Sequence, residues 1–262
     1  MNLNLNGRTA LVCGSTQGLG FASAQEISLL GAEIILMARE EQKLKDTLPK
    51  LDTGAGQKHG YLVADFQYPD QVKKTIGDFV AKNNAIHILV NNTGGPKGGS
   101  AWKATPEDFT KAFNSHLICS HLLLQAVLPA MKAAGYGRIV NIISTSVKEP
   151  LEGLGVSNTI RAAVAAWSKT LAGELGQFGI TVNNVLPGHM RTARYDAILT
   201  SRAAASGKDT DEIEKDYLKE VPVRKIGMPA EFGAAVAFLC SPAASYITGI
   251  NLPVDGGRLR SL

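Results

Sequence analysis

The chain has 262 residues, 45% of them hydrophobic, and a formal charge of +4; this is ample for one large α/β domain and too mild for a nucleic-acid-binding stripe. Lysines and arginines alternate with carboxylates, as in Arg39-Glu40-Glu41-Gln42-Lys43, which marks solvated helix faces, and a weakly basic surface suits an anionic cofactor or substrate. The start Met1-Asn2-Leu3-Asn4-Leu5-Asn6 lacks the basic flank and apolar core of a secretory signal, and no apolar run is long enough to span a bilayer, so a cytoplasmic protein without membrane contact is expected.

Ala10 to Cys13 read as a short buried strand, and the residues from Gly18 into Ala22-Ser23-Ala24-Gln25-Glu26-Ile27 as a helix start. Between them lies Gly14-Ser15-Thr16-Gln17-Gly18-Leu19-Gly20. Glycine lets the backbone turn sharply and approach a pyrophosphate, while the free amides and positive dipole end of the helix favour negative charge. Further strands are expected at Glu33 to Met37, Tyr61 to Ala64, Ile86 to Val90, Arg138 to Ile143, Thr181 to Leu186 and Ile250 to Val254, separated mostly by amphipathic helices. That alternation predicts a single α/β domain over residues 1–262, with a doubly wound, seven-stranded parallel sheet covered by helices on both faces. Ligands of such sheets sit outside the carboxyl ends of the strands, where the chain places the glycine turn, Arg39, Asp65, Asn91-Asn92-Thr93-Gly94, Ser144 and Pro187-Gly188. From Met190 to Pro222 a polar, Ala-rich stretch interrupts the rhythm, and a substrate lid is expected over 190–222. Within it Arg194 is available to an acidic substrate, or is an ordinary helix-surface arginine. Cys13, Cys119 and Cys240 lie apart in apolar stretches and read as reduced, buried thiols, and the five histidines show no metal-ligand spacing.

With these motifs in hand, the chain resembles the short-chain dehydrogenase/reductase family from about Leu5 to Gly257. The resemblance rests on Gly14, Gly18 and Gly20, on Asn91-Asn92-Thr93-Gly94, Gly137-Arg138-Ile139-Val140-Asn141-Ile142 and Thr181-Val182-Asn183-Asn184-Val185-Leu186-Pro187-Gly188, and on Ile247-Thr248-Gly249 with Asp255-Gly256-Gly257. It implies a Rossmann-like fold and a bound nicotinamide dinucleotide. Gly14, Ser15, Gln17, Gly18, Leu19 and Gly20 would then contact the cofactor, as would Gly94, with Asp65 near the adenine and Asn91 beside the adenosine ribose. Pro187, Gly188 and Thr192 would surround the nicotinamide. A homotetramer or dimer, formed through the helices flanking strand five and the last strand, is also implied. Arg39 favours NADP(H) over NAD(H), because a guanidinium grips a 2′-phosphate that a carboxylate would repel; a surface arginine, with NAD(H) as cofactor, is the other reading.

The family's catalytic Ser maps to Ser144, seven residues after Gly137, where a hydroxyl can hydrogen-bond a substrate oxygen. Thirteen residues further, where the family has Tyr, stands Ser157, and four later, in place of Lys, stands Arg161. The downstream helix segment Trp167-Ser168-Lys169-Thr170-Leu171 keeps the register without a gap. An i, i+4 pair shares a helix face, so Ser157 and Arg161 should both point to the nicotinamide end. An aliphatic hydroxyl is a far poorer acid than a phenol, whereas Arg161 can replace Lys in gripping the nicotinamide ribose or an anionic substrate. The family's catalytic Asn falls on His116, whose ordinary pKa near ~6.5 suits a general acid; a structural histidine bonded to a carbonyl at a helix kink is the alternative. Lys148 and Glu149 face the pocket or form a solvated pair.

Three functions follow. One is an NADP(H)-dependent carbonyl reductase with Ser144 orienting the oxygen and His116 or water supplying the proton. The second is reduction of a double bond conjugated to a carbonyl, which the missing phenol suits. The third is a non-catalytic NADP(H)-binding sensor or interaction protein.

Overall fold

The computed structural model describes residues 1–261. Seven strands, β1 (Thr9–Cys13), β2 (Glu33–Ala38), β3 (Gly60–Val63), β4 (Ile88–Asn91), β5 (Gly137–Ile142), β6 (Ile180–Pro187) and β7 (Asn251–Val254), form one parallel sheet in the order β3-β2-β1-β4-β5-β6-β7. The central strands are buried along their length, which is why they read as mostly apolar runs and not as alternations, with Asn91, Asn141 and Asn184 among the buried polar exceptions. β4 starts at Ile88, later than expected; just before it His87 bonds Thr9 twice, its amide donating to the Thr9 carbonyl at 2.9 Å and its Nδ1 accepting the Thr9 amide at 3.1 Å.

Helices α1 (Gly18–Leu29), α2 (Glu41–Thr47) and α3 (Pro69–Val80) follow β1, β2 and β3. α4 (Pro106–Phe113) and α5 (Cys119–Ala133) join β4 to β5 through a π-helical turn over Asn114–Ile118, α6 (Gly155–Leu175) joins β5 to β6, and α9 (Pro229–Cys240) precedes β7. One apolar core, centred on Ile27, Leu36, Val90 and Phe232, fills the face under α1 and α9, and a second, around Leu11, Leu89, Leu123 and Ile139, fills the opposite face. α1 and α9 pack so closely that a Cβ on Gly233 would stand 2.6 Å from the Ala22 carbonyl oxygen. The order of strands reverses between β1 and β4, which opens a crevice at their carboxyl ends.

Residues 190–222 are the stretch where a substrate lid is expected. They hold two capped helices, α7 (Ala193–Ser206) and α8 (Thr210–Glu220), with Thr192 and Asp209 as N-caps. Tyr195, Leu199, Ile213, Tyr217 and Ile226 give this hairpin a core of its own, and the His189 ring stacks on Tyr217 at 4.2 Å. Cys13, Cys119 and Cys240 are free and buried. Among the described residues no helix is long and apolar enough to cross a membrane.

Candidate active site

A groove of about 740 Å³ runs along the carboxyl ends of the strands, from Arg39 and Asp65 past the glycine turn to Ser144, Arg161 and the start of α7. Its floor is the turn between β1 and α1. Gly14 and Gly18 have φ of 56° and 58°, a region that side chains make costly. A Cβ on Gly20 would stand 2.3 Å from the Gly14 carbonyl oxygen and 2.7 Å from Asn92 Nδ2. Gln17 occupies the N-cap of α1 without a side-chain cap, so the first amides of the helix stay open to a ligand. Bare backbone, open amides and a positive helix end together fit a dinucleotide diphosphate.

Gln17, Leu19, Gly94, Pro187, Gly188 and Thr192 line the groove as expected. Three expected cofactor contacts, Ser15, Asn91 and Gly20, do not. Ser15 is fully buried, and its Oγ accepts the Met37 amide at 3.1 Å, tying the turn to β2. Asn91 points into the sheet, where its Nδ2 donates to Asn141 Oδ1 at 2.8 Å; Asn141 continues through Ser168 and Asn184 to Asn251. This buried amide ladder ties β4 to β7. The neighbouring Asn92 serves the site instead: its Nδ2 donates to the carbonyls of Cys13 (3.3 Å) and Gly14 (3.1 Å) and pins the turn. Gly20 likewise acts by letting the turn close on itself and not by lining the groove.

At the β2 end Arg39 lines the groove, its Nε 3.7 Å from Glu40 in an exposed ion pair, a contact too weak to hold the guanidinium from a phosphate. Lys43 on α2, which the alternation of charges over Arg39–Lys43 marks as part of a solvated helix face, also lines this end and pairs with Glu40 at 2.9 Å. Asp65 accepts the Gln67 amide at 2.9 Å and borders the same end.

At the other end Ser144 Oγ accepts the Ser146 amide at 3.0 Å, so its proton remains available to donate. Ser157 Oγ accepts Arg161 Nε at 3.2 Å, and Arg161 Nη1 donates to the carbonyls of Ile143 (2.9 Å) and Ile142 (3.3 Å). The shared face expected of the i, i+4 pair is thus present, and it locks α6 to the end of β5. Burial, and then the charge of Arg194, push Arg161 down to about 10, which leaves it a cation at neutral pH. Glu149 turns from the groove and accepts the amides of Arg260 (3.0 Å) and Ser261 (2.8 Å).

His116 sits on the π-helical turn, a device common at functional sites, and borders a small cavity beside the groove with Asn91 and Ser120. Its Nδ1 lies 2.6 Å from Thr93 Oγ1. Burial first, then the charges of Arg161 and Arg194, push its pKa down from 6.5 to about 3. The imidazole is therefore neutral near pH 7, and the expected role as a protonated general acid is corrected. His189 is pushed down to about 4, by burial and then by Arg258. Both rings are neutral in the fold and titrate normally in the unfolded chain, so stability is complete above about pH 6.5 and is lost as pH falls toward 4 and 3. Each should contribute a slope of about 1 kcal/mol per pH unit in that window. Chemical denaturation of wild type and His116→Asn between these limits checks this: the variant should lose stability less steeply, and equal slopes would contradict it.

Residues 14–258 match the family model described as enoyl-(acyl carrier protein) reductase. The oxidoreductase UcpA of Escherichia coli K12 is 33% identical over 97% of this chain and 95% of its own length. Among solved structures, L-sorbose reductase of Gluconobacter frateurii complexed with NADPH and L-sorbose superposes with a TM-score of 0.93 at 28% identity over the whole of both chains. YwfH, an NADPH-dependent reductase involved in bacilysin biosynthesis, gives 0.91 at 26% identity over 97% of this chain and 99% of its own. With the glycine turn, the parallel sheet and the groove at its carboxyl edge, these matches show that the chain belongs to the short-chain dehydrogenase/reductase family of oxidoreductases.

Proposed function

We propose that the protein is an NADP(H)-dependent reductase that adds hydride to a carbonyl carbon without the family's phenol. The observation that carries this reading is the pairing of a proton-bearing Ser144 hydroxyl with the Arg161 cation in the groove that starts at the open amides of α1. NADPH supplies the hydride when bound. The glycine turn and α1 hold its diphosphate, Arg39 and Lys43 meet the 2′-phosphate, and Thr192 and Pro187-Gly188 border the nicotinamide. Preference for the phosphorylated cofactor follows from these two cations and agrees with the NADPH named for both solved relatives. Ser144 donates to the substrate oxygen, Arg161 stabilises the negative charge that grows there, and a solvent proton completes the alcohol. Neutral His116 fixes Thr93 and the edge of the groove, and Ser157 positions Arg161. The assembly is a homodimer or homotetramer through α5, α6 and β7.

A second reading, reduction of a double bond conjugated to a carbonyl, is favoured by Ser157 in place of the phenol and by the enoyl reductase description of the matching model. Both chemistries put charge on the same oxygen. NADPH consumption with paired ketones and enones, with product identity determined, tests the reading. An alcohol from the ketone supports carbonyl reduction, and a saturated ketone from the enone selects the second reading. Tight NADPH binding without consumption across the panel rejects both.

A further inference from the structure

Two guanidinium groups converge beside Gly95. A Cβ built on that glycine would stand 3.0 Å from Arg194 Nη2 and 3.4 Å from Arg161 Nη2, so both cations reach one point of the groove, Arg161 from α6 and Arg194 from the first turn of α7. They repel each other, and the charge of Arg194 adds to burial in lowering Arg161. Like charges held together in this way are relieved by an anion between them. The groove offers none of its own there: Glu40 and Asp65 lie beyond β2 and β3, across the sheet from β5. Arg191, one turn from Arg194, is held by Glu214 at 2.7 Å, whereas Arg194 makes no ion pair among the described residues.

The cofactor's diphosphate is a poor candidate for that anion. At the glycine turn a Cβ added to Gly18 meets only Thr192 within 4 Å, and the nearest atoms to one added at Gly14 all belong to Asn92, so the arginines are not the groups that close on the turn. The arginine pair stands instead against Gly95 and perturbs His116, at the end of the groove that holds Ser144.

Resting on the reductase reading, we infer that the substrate carries a carboxylate near the carbon that accepts hydride, gripped by Arg194 with Arg161 beside it, and that it is an oxo acid. A planar guanidinium matches a carboxylate with two parallel hydrogen bonds. Hydride passes from NADPH to the oxo carbon, the C=O π bond breaks toward oxygen, a solvent proton joins that oxygen, and a hydroxy acid and NADP⁺ result. With its carboxylate held, the substrate presents its oxo oxygen to Ser144.

The test is calorimetric titration of the protein–NADP⁺ complex with pyruvate and acetoacetate, each beside its methyl ester, for wild type and Arg194→Met. In at least one pair the acid should bind roughly 30- to 100-fold tighter than the ester, the size of charge-assisted hydrogen bonds. Arg194→Met should bring that ratio to within about threefold of one, with NADPH affinity kept within about twofold. Equal binding of acid and ester in both pairs would overturn the inference. So would an Arg194→Met variant that loses NADPH affinity and keeps the acid preference, which assigns the arginine to cofactor phosphate. NADPH consumption in the same samples separates the two claims: acid-selective binding without consumption retains the grip and rejects the reductase reading, whereas consumption with ester as fast as with acid does the reverse.

Discussion

Gly20→Ala should raise the Kd for NADPH by roughly 100-fold or more, about 3 kcal/mol. The added Cβ would stand 2.3 Å from the Gly14 carbonyl oxygen and 2.7 Å from Asn92 Nδ2. The first obstacle is backbone, so no rotamer change relieves it; the turn itself must open, and with it the row of amides that receives the diphosphate. Overpacking of this kind costs about 1–3 kcal/mol of stability, which thermal denaturation beside the NADPH titration will read separately. Affinity within a few-fold of wild type would mean that the turn does not hold the cofactor.

Ser144→Ala should lower kcat by roughly 10²- to 10³-fold, the loss typical of one preorganised donor to a developing oxyanion. Ser144 Oγ also accepts the Ser146 amide, and a lost cap costs about 1 kcal/mol of stability. The two roles separate in the measurements: a capping role moves the melting temperature, whereas a donor role moves kcat while NADPH affinity stays within a few-fold. A rate within threefold of wild type would reduce Ser144 to a loop cap. Arg161 makes up only part of that loss, since its Nε and Nη1 are committed to Ser157 and to the end of β5 and Nη2 alone faces the groove.

Much of this architecture was legible in the chain because its causes are local. A strand buried on both faces is largely apolar, as β1 is, and a turn that passes through the φ of Gly14 and Gly18 carries glycine, so β1, the turn and α1 can be placed from residue types alone. What was misplaced depends on tertiary geometry. Asn91 and Asn92 are adjacent and chemically identical, and only the orientation of the end of β4 decides that one enters the buried amide ladder while the other pins the turn. Ser15 has the composition of a phosphate contact but is turned toward β2. An ordinary histidine's acidity is what the sequence offers for His116; burial, which depresses it most, and the added charges of Arg161 and Arg194 from α6 and α7 arise only when distant segments pack around it. The division of residues 190–222 into two helices is only weakly marked in the sequence because they bury little, only Tyr195 and Leu199 in α7 and Ile213 and Tyr217 in α8. Their caps at Thr192 and Asp209 were the available signal.

In the function proposed above, Ser157 and Arg161 stand where the family has Tyr and Lys, and the site orients and stabilises an oxyanion without a tuned acid. Proton delivery from solvent suits such a site. Single-turnover reduction with NADPH deuterated at the transferable position of the nicotinamide, followed by mass analysis of the product, examines this directly. The account predicts one deuterium on the former carbonyl carbon, or on the β-carbon of an enone, and a solvent proton elsewhere. Bound, unconsumed NADPH and an unlabelled substrate across the ketone, enone and oxo acid panel would contradict it.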